Sequence, residues 1–262
     1  MTKVRPPAVA GLFYPEDAAA LARSVDDFIA AASKPPADTP KAIIAPHAGH
    51  IYSGPVAARA YAALAPLRGR IARVVLIGPS HRLPFKGLAL PSDEAFQTPL
   101  GAVPVDTAAV ATLLELPQVM VLDAAHDREH SLEVHLPFLQ RVLGSFALVP
   151  LVAGDASAED VAEVIEAVWH DDRTLPVIST DLSHYNDYAT AREMDAATAA
   201  AIERLDGAAI GRAGACGRVP VRGLLAVAKR RGLHVATLDL RNSGDTAGTR
   251  DRVVGYGSWL VA

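Results

Sequence analysis

Three apolar runs in this chain each stop at a polar turn that carries histidine. Ala42–Ala45 runs into Pro46-His47-Ala48-Gly49-His50, and Val74–Ile77 into Gly78-Pro79-Ser80-His81. Val177–Ser179 runs into Thr180-Asp181-Leu182-Ser183-His184. The runs are continuous and do not alternate with polar residues, the pattern of strands covered on both faces. Between them lie segments with helical apolar spacing, so the reading is α/β, a central mixed sheet with helices on both faces. Half of the 262 residues are hydrophobic and 21% are charged, enough to fill a core for one domain spanning 1–262.

The remaining elements follow from spacing and breakers. Leu21, Val25 and Ile29 recur every four residues and predict a helix over Pro15–Ala32. Gly54-Pro55 is expected to open a helix to about Leu64, with the proline in its first turn. Asp106 reads as the N-cap of a helix over Thr107–Leu116. Further helices are predicted over Ser131–Leu143, Ala158–Trp169, about Thr190–Leu205 and about Val221–Arg230. Leu88–Pro91 and Gly101–Val105 read as strands flanking a loop that holds Asp93, Glu94 and Thr98-Pro99. Val119–Leu122, Ala147–Val152, Val235–Leu240 and Arg252–Val261 complete the strands. The one linker-like stretch, Lys34–Pro40, lies too near the start to divide the chain into domains.

Charge and hydropathy exclude several classes. The formal net charge is −4 and the basic residues are scattered, apart from Lys229–Arg231, so no nucleic-acid footprint is present. Charges or prolines interrupt every apolar run before membrane-spanning length, and no membrane partner is expected. The positively charged start, Met1 to Pro7, has no apolar stretch behind it and does not read as a signal peptide. A lone cysteine, Cys216, rules out an internal disulfide framework. A cytoplasmic location is the expectation.

Ligand sites of open α/β sheets lie beyond the carboxyl ends of the strands. His47, His81, Asp181 and His184 should therefore converge in one pocket, where neutral imidazoles and a carboxylate suit a transition metal. His50 reads equally as a second ligand or a surface residue. A fourth segment, His126 to His135, lacks the HExxH spacing of zinc peptidases. On a helix, Glu129 and Glu133 would share a face, with His130 beside Glu133. That set, with His135, reads as acid/base groups or support for a neighbouring ligand, and for the glutamates equally as a solvated first turn. His170 and His234 read as surface or structural. Cys216, between glycines before a helix, reads either as a thiol of depressed pKa or as an inert buried one. Ser80 beside His81 lacks a nucleophile elbow.

Taken together and in order, these segments resemble the Memo family. The matching stretches are Pro6–Pro15, Pro46–Gly49, Gly78–His81, Glu129–Pro137, Ser179–His184 and Cys216–Arg218. That family is similar in fold to the class III extradiol dioxygenases, which hold iron(II) with two histidines and a carboxylate. Carried over by motif, the resemblance implies His47 and His81 as metal ligands, with Cys216 at the third position. It implies His184, with Asp181 beside it, as the acid/base group of the pocket; His130, Glu133 and His135 join the candidates from the reading of their own segment. Iron(II) or copper is the implied cofactor, with zinc a further option, because a thiolate favours softer metals than a carboxylate does. A redox protein acting on a small molecule or a peptide is implied, with a true catechol dioxygenase or a non-enzymatic binding module as alternatives. The resemblance also implies an AMMECR1-like protein and a radical-SAM protein as partners.

Overall fold

The computed structural model describes residues 3–32 and 38–262; the start of the Lys34–Pro40 stretch, with Met1 and Thr2, lies outside the described residues. In chain order the elements are β1 (Val4–Arg5), α1 (Ala18–Ala31), β2 (Ala42–Ala45), α2 (His50–Ala63), β3 (Arg73–Pro79) and β4 (Leu88–Leu90). There follow β5 (Ala95–Thr98), β6 (Gly101–Pro104), α3 (Thr107–Leu113), β7 (Val119–Val121), α4 (Leu136–Leu143) and β8 (Ala147–Ala153). The chain continues through α5 (Ala158–Val168), β9 (Thr174–Ser179), β10 (His184–Asn186) and α6 (Tyr188–Glu203). It closes with α7 (Arg218–Arg230), β11 (Val235–Asn242) and β12 (Val253–Val261).

The large sheet runs β10-β12-β2-β9-β3-β8-β4-β7, with β11 also paired to β12. Its centre, β2, β9, β3 and β8, is parallel. β12 joins β2 and β4 joins β8 in antiparallel sense, so the sheet is mixed. Side chains alternate across each strand and feed two cores. Ile43, Leu76 and Val177 face Leu21 of α1, Tyr61 of α2 and Leu139 of α4. Ile44, Ile77 and Ile178 face Ile165 of α5, Ile202 of α6 and Leu224 of α7. Helices thus cover both faces, which is why the strands carry no polar alternation.

Four local expectations are corrected. Helix α2 starts at His50, because the Gly49 carbonyl accepts from Tyr52 and Ser53 at 2.8 and 3.1 Å. Pro55 therefore sits inside the helix, where its missing N–H forfeits one helical bond. The helix expected from Ser131 begins as a 3-10 turn over Glu133–His135 and becomes α-helical only at Leu136, with Pro137 in its first turn. Glu129 and His130 consequently lie outside it. The expected 93–98 loop contains β5, which pairs antiparallel with β6 and parallel with β1 in a separate three-stranded sheet. β10, short and unforeseen, pairs antiparallel with β12.

Candidate metal centre

Strands β2, β3 and β9 are parallel neighbours, so their carboxyl ends deliver His47, His81 and Asp181 to one edge of the sheet. Cys216 arrives from the turn before α7. Its approach depends on Gly217, where a Cβ would lie 2.3 Å from the Ser179 carbonyl oxygen and 2.7 Å from Thr180 Cβ. Donor atoms of His47, His81 and Cys216 all lie within 4.8 Å of one another. The His47 Nε2 to Cys216 Sγ separation is 3.4 Å.

A proton count fixes which imidazole nitrogens face inward. The Ser179 hydroxyl has one hydrogen, which it donates to the Ser131 carbonyl at 2.6 Å. His47 Nδ1, 2.5 Å from that oxygen, and His135 Nε2, 2.8 Å from it, must then both donate to it. His47 Nε2 is left with a lone pair, aimed at Cys216. His135 Nδ1 likewise accepts from the Tyr61 hydroxyl at 2.5 Å. At His81, Nδ1 donates to Glu129 Oε1 at 2.9 Å, which frees Nε2 as an acceptor. An imidazole whose outer nitrogen donates to a fixed oxygen is oriented for metal binding.

Glu129 is saturated on the protein side. Oε1 also accepts from the amides of His130 and Ser131 at 2.8 and 2.9 Å, and Oε2 from the His81 amide at 2.6 Å. Burial pushes this carboxyl up, but the His81 side chain and the amides outweigh it and hold it near 2. Glu129 and His130 also come close to His81 as a second donor set. The occupied lone pairs of Glu129 favour the set with Cys216.

Burial pushes the His47 imidazole well below its ordinary value, as do the neighbouring histidines. Burial lowers His135 to about 3 and His130 to about 4. These rings stay neutral at physiological pH, as ligands must. Burial raises Asp181 to about 6, opposed by the His47 amide, which donates to Oδ1 at 2.8 Å. The Cys216 thiol is not depressed, contrary to one sequence reading. Burial, then the Asp181 carboxylate, pushes it up to about 12, so the sulfur releases its proton when a cation takes the proton's place.

Above these groups opens a cavity of about 720 Å³. His47 and Asp181 are buried at its base, while His184, Tyr185 and Arg252 are exposed at its rim. His184 Nδ1 donates to the Leu182 carbonyl at 2.8 Å, which leaves Nε2 as an acceptor. Tyr185 holds a left-handed backbone (φ 60°), an uncommon conformation for an aromatic residue, and this sets the bend of the rim after His184. His130 also lines the cavity and stacks on His81, with ring centroids 4.6 Å apart and an angle of 21°.

The other singled-out residues lie elsewhere. Glu133 is fully buried away from the cavity and accepts from Arg5 Nη1 (2.7 Å), the amides of Ala8 and Val9 (2.7 and 3.0 Å) and the Tyr14 hydroxyl (2.6 Å). It clamps the chain's first residues and does not enter the pocket. His135 stands one residue behind the cavity, at Ser179. His50 is neither ligand nor surface residue: it is buried, donates to the Val134 carbonyl at 3.0 Å and packs on Phe138. His126 donates to the Ala89 carbonyl at 3.0 Å, and His170 and His234 are exposed. Ser179, though part of a matching stretch, and Tyr61 receive no role from the sequence, since a strand-end serine and a helical tyrosine carry no distinctive spacing. Glu129 could not be separated from Glu133.

Comparison with known proteins gives this arrangement a family. The family described as Memo-like protein matches residues 5–260, and the chain belongs to it. Among its relatives, a MEMO1 family protein of Aquifex aeolicus is 37% identical over 97% of both chains. One from Thermotoga neapolitana is 36% identical over 99% of this chain and all of its own. One from Sulfolobus acidocaldarius is 33% identical over 97% of both. In fold, the chain is similar to an uncharacterized protein from Escherichia coli K12, with a TM-score of 0.52 at 15% identity, covering 82% of this chain and 98% of that one. Among the described residues no helix is long and apolar enough to cross a membrane.

Proposed function

We propose that this Memo-family chain is a metal-dependent redox protein, with iron(II) or copper held by His47, His81 and Cys216 and a small molecule or peptide taken into the cavity above. The observation that supports this most is the pair of imidazoles whose inner nitrogens are left as lone pairs beside one sulfur, one set by Ser179 and one by Glu129. Two nitrogens and a thiolate suit copper(I), zinc or iron, and three protein ligands leave positions open. A bound redox metal would supply one-electron chemistry and a Lewis-acidic coordination position.

The chain's own residues define the rest. Ser179 and Glu129 orient the two imidazoles, and Cys216 gives up its proton on loading. Asp181, at the base of the cavity, and His184, with Nε2 unpaired at its rim, face a ligand as acceptors. Phe13, Tyr52 and Tyr256 supply apolar wall against which a flat or hydrocarbon group excludes water. Metal analysis of anaerobically purified protein tests the reading. About one equivalent of iron or copper is expected, lost in His81→Ala and in Cys216→Ala; a metal-free wild type would sink it, and zinc alone would remove the redox role.

A dioxygenase acting on a catechol-like substrate is the second reading, favoured by the free Nε2 of His184 at the cavity rim. Oxygen uptake by iron-loaded protein across a catechol panel decides it, and silence counts against it.

A further inference from the structure

Cys216 borders a second cavity. A cleft of about 270 Å³ opens on the other side of the turn, lined by Ser80, Gly154, Asp155, Arg212, Arg218 and Val219 as well as Cys216. It shares none of the cavity-lining histidines. The Cys216 sulfur stands 3.4 Å from Nε2 of His47, which lines the first cavity.

Charge in this cleft is unbalanced. Among the described residues, neither Arg212 nor Arg218 makes a side-chain hydrogen bond or an ion pair within 4.0 Å, although eleven carboxylate–cation contacts within that limit join Lys or Arg to acids elsewhere. Arg222 donates to the Ile210 carbonyl and so anchors the loop that carries Arg212. Its cation, with that of Arg212, lies near enough to Arg218 to oppose its charge. Asp155 is the one acid in the lining, against two guanidinium groups.

The backbone adds donors of the same sense. Helix α7, thirteen residues long, begins here at Arg218, and its N-cap, Gly217, provides no side chain to satisfy the first amides. The Val219 amide at the cleft accordingly keeps its hydrogen available, at the positive end of the helix dipole. Two unpaired guanidiniums and a helix N-terminus around one concavity make the donor set that oxyanions select.

We propose that this rear cleft is a binding site for a phosphate-class oxyanion, held by Arg212, Arg218 and the first turn of α7. It is separate from the metal-side cavity and stands whether or not the metal reading does. The anion arrives either as inorganic phosphate or as the phosphate group of a small phosphorylated molecule, and the cleft has room for the group itself more than for a long substituent.

Titration calorimetry on the full chain, at low ionic strength, tests the site with inorganic phosphate and separately with glycerol phosphate. Wild-type protein is expected to bind at least one of them, and whichever is tighter identifies the source. Arg212→Gln/Arg218→Gln should weaken binding by about tenfold or more, since each guanidinium supplies a charge-assisted contact. Arg212→Gln alone, at an exposed position, should weaken it less and keeps the test valid if the double variant folds poorly. Arg252→Gln, at the rim of the other cavity, should bind like wild type. The proposal is overturned if neither probe binds at tens of millimolar, if the double variant binds like wild type, or if Arg252→Gln abolishes binding.

Discussion

Glu129 and Glu133 are four residues apart, equally buried and each hydrogen-bonded at both oxygens, yet they serve different ends of the molecule. Glu129 points to the carboxyl edge of the sheet and orients His81. Glu133 points back to the chain's start and neutralises Arg5, itself only 4% exposed. A regular helix would have put both on one face. The backbone at 129–130 is irregular and at 131–132 a turn, and the helix is set up only from Glu133 onward, so the two carboxylates diverge. One buried acid therefore tunes a site and the other holds a fold.

That contrast is broken most forcefully at Glu133. Glu133→Ala leaves the buried Arg5 cation with only the His126 and Glu129 carbonyls for partners and should cost about 3–5 kcal/mol of stability, read by chemical denaturation. At permissive temperature, the surviving folded fraction should keep its metal stoichiometry. If metal binding fell while stability held, the division of labour would be wrong.

The next effect comes with acid. Burial lowers His50 and His126 to about 4 in the folded chain, against an ordinary 6.5. Between those values the unfolded chain binds protons that the folded chain refuses, so stability falls as pH drops from about 6.5 to 4 and levels off below. Roughly 3 kcal/mol per histidine is at stake. Denaturation midpoints across this range should show the slope, and His126→Gln should reduce it.

Glu129→Gln sharpens the comparison from the other side. A neutral amide keeps the shape but loses the charge-assisted bond to His81, and metal affinity should drop about 10–100-fold with a much smaller loss of stability than at Glu133. Competition with a chromophoric chelator measures it. Ser179→Ala should act in the same direction and more weakly, about tenfold, because it leaves the His47 and His135 N–H groups without their acceptor while removing no charge. An unchanged affinity would show that Ser179 does not select the His47 tautomer.

Much of the architecture could be read in advance where burial on both faces left a continuous apolar mark, as in β2, β3, β8 and β9. β5 was missed because Ala95-Phe96-Gln97-Thr98 is short, mixed and paired only within the small sheet with β1 and β6. The start of α2 was missed because a proline suggested a first turn, while the Gly49 carbonyl and the Phe13 backbone fix the start earlier. At the candidate site, strand ends followed by histidine marked the edge of the sheet at which His47, His81 and Asp181 converge. Which acid faced which partner depended on tertiary contacts 48 to 128 residues away in sequence, which spacing cannot report. The thiol's raised pKa is likewise a property of its burial, invisible in a glycine-flanked cysteine.

Ser179 has a consequence for proton traffic. It gives its one proton to Ser131 and receives two from imidazoles, so its own bonding capacity is full, and burial keeps the rings of His47 and His135 neutral. A proton entering from solvent or released by a ligand meets, on the open side, Asp181, whose carboxyl burial raises to about 6. The buried His47–Ser179–His135 side of the pocket is thereby insulated from the pH of its surroundings, and Asp181 on the cavity side is left to follow it.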